Sequence, residues 1–238
     1  NFATHVFDVE ATLAPNFDTN ALDVTFSTID DAPVYYTLDG SEPGESSARY
    51  ENKLSVREDT ELKAVAIRNG KKSKVFSEKI TISKSSYMPA VLLTTPASGY
   101  AYGGASMLVD GINGIGTNYR RWIGFQGENL VAVIDLLQPT EISKAEVRNA
   151  VVTGDWIFDA SEITIESSAD NQAFAPVISM PITDEKNEQW SDISTHTLTF
   201  DPVTARYFKV TVKPSVMPEW HPGKGNRAFI FIDEIRLD

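Results

Sequence analysis

Residues 61–82, ELKAVAIRNGKKSKVFSEKITI, form two alternating runs joined by Asn69-Gly70. Polar and apolar side chains take turns along each run, the period-two signature of half-buried β-strands. Asn-Gly supplies the positive φ angles that a two-residue type I′ turn requires, so the pair specifies a hairpin. The same alternation recurs upstream in DVTFST and PVYYTLDG, and downstream in VAVIDL, ISKAEVRN, SEITIESS, RYFKVTVK and FIFIDEIRL. No segment sustains a 3.6-residue apolar period. A chain patterned in this way is expected to be all-β, built from packed antiparallel sheets.

Its 238 residues, 42% hydrophobic and 23% charged, are enough for two globular cores. Residues 1–84 are expected to form a small immunoglobulin-like β-sandwich, with short strands and turn signals roughly every ten residues. This part holds 10 Lys/Arg against 14 Asp/Glu and no Trp, which suits a scaffold. Around residues 83–98, Ser, Thr and Pro surround a brief apolar patch, read as linker plus the opening strand of a second domain. Residues 85–238 are expected to form a β barrel or jelly roll, with 11 Lys/Arg, 19 Asp/Glu and all four Trp.

The overall formal charge of −12 disfavours nucleic acid and anionic lipid as partners, since both reward clustered Lys and Arg. No apolar run approaches the length of a membrane span, so membrane insertion is not expected. Without Cys there is no disulfide, thiol nucleophile or Cys-ligated metal. The chain opens without an initiator Met and is expected to be a fragment or a mature form.

Two stretches break the alternation: LVDGINGIGTNYRRWIGF (108–125) and EWHPGKGNRAF (219–229). Long irregular loops in a compact domain are uncommon and usually functional, so the two are expected to form one site. Catalytic machinery is hard to assemble from the chain. Glycoside hydrolysis needs two carboxyls facing each other across a bond. Asp233 and Glu234 are neighbours on a strand and are expected on opposite faces. Asp30-Asp31 and Asp184-Glu185 sit in polar, turn-like segments and are expected to be solvated. His5 and His196 have no ligand or nucleophile beside them in sequence. There is no G-x-S-x-G, H-E-x-x-H or phosphate loop, and no catalytic residue is expected.

Binding chemistry is easier to find. Asp110, Asn113, Thr117 and the distant Glu234 carry hard oxygens, which suit calcium, and a Gly-rich loop adds backbone carbonyls. Alternatively, Asp110-Gly111 is a plain turn and Glu234 a surface strand residue. Sugars present a C–H face and a rim of hydroxyls, which exposed aromatics and planar polar groups complement. Trp220, His221, Trp156, Asp155, Arg121 and Asn226 are the candidate sugar contacts. Trp122 and Phe125 lead into a strand and are expected in the core. Trp220, between Pro218, Glu219, His221 and Pro222, is expected to be exposed, and Trp156 can be either.

YYTLDGSEP (Tyr35–Pro43), with SSARYENKLSV and DTELKAVAIRNGKKS, resembles the small C-terminal β domain of chitobiases and other family-20 β-hexosaminidases. LVDGINGIG, WIGFQGENLVAVIDL, GDWIFDASEITIESSADNQAF, RYFKVTVK and EWHPGKGNRAFIFIDEI resemble, in order, a factor V/VIII type C (discoidin) domain of the family-32 carbohydrate-binding-module kind. The tandem is similar to the C-terminal region of exported Bacteroidetes β-hexosaminidases. The resemblance implies a discoidin jelly roll and an upstream catalytic barrel outside this chain. It also implies a secreted, periplasmic or outer-surface location. By the same resemblance, terminal hexose or N-acetylhexosamine of glycans is the ligand, and a structural calcium is held by Asp110, Thr117, Glu234 and the carbonyls of Met107 and Asp233. The Asp110-to-Thr117 gap is about two residues longer than the usual pattern. The alternative is a structural spacer whose aromatic loops pack against the barrel.

Overall fold

A computed structural model describes residues 7–116, 118–183 and 190–238. The chain is all-β and divides into two compact units, Asn1–Ile82 and Ser83–Asp238, a boundary two residues before the one expected from the sequence.

The first unit contains β1 (Glu10–Asn16), β2 (Ala21–Ser27), β3 (Val34–Thr37), β4 (Ala48–Arg49), β5 (Leu54–Val56), β6 (Thr60–Arg68), β7 (Lys71–Lys72) and β8 (Phe76–Ile80). β1, β2 and β5 make one antiparallel sheet; β4, β3, β6 and β7 make the other, with β8 also on β6. Asn69 and Gly70, at φ 51° and 72°, turn β6 into β7, the hairpin the dipeptide calls for. Leu22, Val24, Leu62, Ala64 and Ala66 supply fully buried side chains from both sheets. Phe26 meets the ring of Tyr50 edge-on at 5.1 Å and that of Phe76 at 6.0 Å. Asp30 receives the Arg68 guanidinium at 2.8 Å rather than standing free in water.

The second unit contains β9 (Ala90–Leu92), β10 (Ile123–Gln126), β11 (Leu130–Val152), β12 (Ala160–Ser168), β13 (Ala175–Pro181), β14 (Ser191–Pro214) and β15 (Phe229–Leu237). β11 and β14 pair along almost their whole length, with breaks of register between Asp135 and Thr140 and between Ile142 and Lys144. Leu137, at φ 66°, lies in the first break. On one side of the breaks β11 pairs β9, while β14 pairs β12 and, through it, β13. On the other side β11 pairs β15, which pairs β10. Both long strands therefore serve two layers, as in a jelly roll. Ile123, Phe125, Leu130, Ile134, Ile163, Phe208 and Ile232 fill the core between the layers, and Leu108 and Val109 of the 3-10 helix Gly104–Val109 pack into it.

Trp122 and Phe125 are fully buried, as their place before a strand implied. His196 differs from its sequence reading. Its Nε2 lies 2.6 Å from Asp159 Oδ1, and Ser194 Oγ donates to Asp159 Oδ2 at 2.8 Å. The serine is bonded to the acid and not to the imidazole, so this is not a nucleophile–base pair. Among the described residues no helix is long and apolar enough to cross a membrane.

Candidate functional site

The Gly-rich loop 110–116 lies over β15, and here the expectation for Asp233 and Glu234 fails. Both side chains are fully buried. Val147 opposes Ile235 while Asn149 opposes Ile232, so two residues of β15 face the single residue Arg148. That bulge breaks the alternation which would have sent one carboxylate to each face. Both carboxylates now reach the same loop: Gly111 N–H donates to Glu234 Oε1 at 3.3 Å, and Gly114 N–H donates to Asp233 Oδ2 at 2.5 Å. Glu234 is not a surface residue, and neither carboxylate is open to a substrate.

The two carboxylates are balanced differently. Arg148 donates to Asp233 Oδ2 at 2.5 Å and to Asn113 Oδ1 at 2.6 Å. Arg236 donates to the same Asn113 oxygen at 2.5 Å. Burial pushes Asp233 up to about 6 against the pull of Arg148. Burial raises Glu234 well above the usual range, and the charge of Asp110 adds to the rise. Asp110 caps the Gly104–Val109 helix, and its Oδ1 accepts from Ile112 N–H at 2.8 Å. Burial raises its carboxyl to about 7, with Asp233 contributing. Glu234 Oε2 is buried and has no hydrogen-bond partner among the described residues.

Asp110 and Glu234 offer hard carboxylate oxygens of the kind calcium takes, while the loop groups that meet the β15 carboxylates are the N–H donors of Gly111 and Gly114. Asp233 gives its Oδ2 to Arg148 and Gly114, while its Oδ1 is buried with no hydrogen-bond partner among the described residues. Met107 is half-buried in the 3-10 helix, its Sδ accepting from Gly103 N–H at 3.1 Å. Thr117 lies outside the described residues, as do His5, Asp184 and Glu185. Among the described residues no group of three or more His, Cys, Asp or Glu side chains is arranged to hold a metal.

A second cluster surrounds Trp156. Val152 and Ile157 bond to each other in both directions, and Phe229 N–H donates to Trp156 O at 3.1 Å. These bonds close a short loop, Thr153–Trp156, with Trp156 at φ 68° and ψ 14°. The left-handed region is unfavourable for a bulky residue and is a mark of functional sites when the surroundings enforce it. Trp156 is 43% exposed. It stands at a pocket of about 310 Å³ lined also by Tyr100, Tyr119, Asp155, Phe229 and Phe231. Tyr119 hydroxyl donates to Asp155 Oδ2 at 2.6 Å.

The six candidate sugar residues thus separate. Trp156 and Asp155 line the pocket. His221 is buried, a correction to its reading as a surface contact: its ring backs Trp156 at 4.9 Å and its Nδ1 accepts from Gly223 N–H. Trp220 is half-buried because its ring lies on Phe158, at 5.8 Å, in a cluster with Met217 and Ala228. Asn226 is exposed and donates to Gly223 O at 3.1 Å. Arg121 reaches back to Asn113 O at 3.0 Å, toward the Gly-rich loop. The sequence reading missed Tyr100, Tyr119, Phe229 and Phe231. The only signal was the density of aromatic residues in irregular segments beside glycine.

Comparison with known proteins follows the same division. Residues 14–81 match the chitobiase/beta-hexosaminidase C-terminal domain, and residues 81–229 match the F5/8 type C domain. The chain belongs to the F5/8 type C domain family. Among solved structures, a chitosan-binding module from a Paenibacillus sp. IK-5 chitosanase/glucanase is 14% identical, covering 66% of this chain and 98% of that one at a TM-score of 0.41. A family-32 module from Clostridium perfringens, solved with GalNAc-β-1,3-galactose, is 16% identical over 63% of this chain and 94% of its own, TM-score 0.42. The C-terminal domain of a Bacteroides fragilis chitobiase is 17% identical over 63% and 92%, TM-score 0.38. No curated protein sequence matches the chain. In this F5/8 type C unit, the Trp156 pocket and the carboxylates under the Gly-rich loop are separate sites with different chemistry.

Proposed function

We propose that the F5/8 type C unit is a non-catalytic sugar-binding module, an accessory part of an exported β-N-acetylhexosaminidase that binds terminal hexose or N-acetylhexosamine of glycans. The observation that carries this is Trp156, an exposed aromatic held in a strained conformation at the rim of an open, ring-lined pocket. Such a ring covers the C–H face of a sugar, while Asp155 and the tyrosine hydroxyls address its rim. An open pocket favours this over loops that serve only to pack against another domain. A single shallow platform binds weakly, on the order of millimolar or about −4 kcal/mol, so retention on a glycan relies on the attached enzyme. In an NMR titration at millimolar sugar the chain is expected to bind terminal hexose or N-acetylhexosamine ligands, and Trp156→Ala to weaken them about tenfold or more with its melting temperature little changed. A folded chain that shows no shifts with any of these sugars overturns the reading.

We further propose that calcium occupies the Asp110 and Glu234 oxygens, with loop carbonyls completing the shell. The ion would tie a loop that buries little apolar surface to β15. Chelation is then expected to lower the melting temperature by several degrees, since a site held at about a hundredfold over its Kd contributes about 2.7 kcal/mol. The sign with pH follows from Asp110, raised to about 7. The metal-free fold binds that proton more tightly than the unfolded chain, so its stability is highest at low pH and falls as pH rises through about 7. Calcium needs the ionised carboxylates. Its stabilising increment, measured by thermal denaturation with and without chelator, is expected to be larger at pH 8 than at pH 5. An equal increment at both, or none, removes the calcium site.

A further inference from the structure

The pocket beside Trp156 is unusual in what balances its charge. Its side-chain lining is the rings of Tyr100, Tyr119, Trp156, Phe229 and Phe231, the apolar Ile157 and the carboxylate of Asp155, with no Lys, Arg or His in it among the described residues. The rings are locked: Tyr100 meets Phe231 edge-on at 4.9 Å and Tyr119 lies 5.1 Å from the same ring. Aromatic faces carry negative quadrupole density and attract cations. Asp155 Oδ2 accepts from the Tyr119 hydroxyl, which fixes the carboxylate at the pocket, and among the described residues no bond to Oδ1 is seen. Of the two hydroxyl donors in the lining, Tyr119's is therefore already committed. An amide carbonyl entering here meets few donors and one anion. An ammonium meets an anion and a set of π faces. The −8 balance of residues 85–238 (11 basic minus 19 acidic) adds attraction of the same sign.

We infer that the Trp156 pocket selects a protonated amine, the ammonium of an unacetylated amino sugar such as a glucosamine residue, over the N-acetylated form. This rests on the sugar-binding reading and moves its preferred ligand from the neutral sugars to the amine. The pocket thereby distinguishes glycan ends by deacetylation, with Trp156 as the stacking platform and Asp155 as the counter-ion. Asp155→Asn removes the charge and keeps the shape.

The test is an NMR titration of the whole chain at pH 6 with methyl β-glucosaminide, its N-acetyl counterpart and methyl β-glucoside. The amine is expected to bind about five- to tenfold more tightly than either neutral sugar, within the range of cation–π and charge pairing at a partly exposed site. In Asp155→Asn the amine's advantage over the two neutral sugars should shrink to within about twofold. Added salt should narrow the wild-type preference, a readout that does not depend on any variant folding. If the N-acetyl sugar binds as tightly as the amine or more so, the inference falls and the sugar-binding reading stands. If none of the three binds, both fall. An amine preference that survives both Asp155→Asn and salt overturns the role of Asp155.

Discussion

Replacing Arg148 with alanine is expected to cost the second unit about 3–5 kcal/mol of stability, the usual result of removing one partner from a buried ion pair. Asp233 is fully buried, and Arg148 donates to its Oδ2 at 2.5 Å. The same guanidinium bonds Asn113 Oδ1 at 2.6 Å, so the truncation strips the Gly-rich loop of a support as well. Burial already holds Asp233 up at about 6 with Arg148 in place, and its loss would raise the carboxyl further. A group raised in the fold contributes most at low pH and loses that contribution as pH rises, so the damage in Arg148→Ala should be greater at pH 8 than at pH 5. Urea denaturation of Arg148→Ala, Asp233→Asn and the double variant reads this directly. The double variant should be more stable than Arg148→Ala, because no charge is left uncompensated. A single-variant loss below about 1 kcal/mol would mean that Arg236 suffices as the counter-ion.

Gly114→Ala should cost about 3 kcal/mol, at the upper end of what overpacking usually does. A Cβ at Gly114 would lie inside van der Waals contact with the Trp122 indole, meeting Cε2, Cζ2 and Nε1 together. That ring cannot withdraw: it is fully buried and packed with Ala150, Ile157 and Phe231. Tyr100, Tyr119 and Phe229 lean on the same cluster, so the shift is carried into the walls of the Trp156 pocket. Gly116→Ala is the control. No atom lies within 4 Å of its added Cβ, and at φ +47° it should show only the left-handed backbone penalty, about 1–2 kcal/mol. Thermal and urea unfolding of the two variants separate clash from backbone strain. Equal losses would show that Trp122 yields.

The alternation of β12 was plain in the sequence because it has one face in a core and one nearer solvent, and period two records that asymmetry; β15 alternates too, yet it is buried on both faces, so its polar positions are buried charges. What failed was what alternation cannot encode. A bulge adds one residue to one strand only, and no residue type in FIFIDEIRL marks where it falls. The rule of opposite faces, applied to Asp233 and Glu234, therefore gave the wrong answer. Arg148 and Arg236 carry no distinguishing signal in the sequence; only a fold that buries carboxylates beside them gives them work. Trp220 was expected to be exposed from its polar neighbours, but Phe158, 62 residues earlier (220 minus 158), covers it. The pocket was half legible. Trp156 and Asp155 stood out as an aromatic–acid pair in a loop, while Tyr100, Phe229 and Phe231 come from segments that meet only after the sheets close.

The sharing of β11 and β14 between two layers has a kinetic side. Leu130 opposes Val212 and Val152 opposes Ser191 on one strand pair interrupted by two breaks of register, so both layers draw on the same two long strands. The β12–β13 hairpin is local, but closing the long ladder means joining parts of the chain that are far apart in sequence, and that loop entropy is lost before the core repays it. Once closed, one layer cannot open without unzipping strands the other needs. The second unit therefore belongs to the class that assembles slowly and opens rarely, and the strained Trp156 loop is held by a body that does not breathe in pieces.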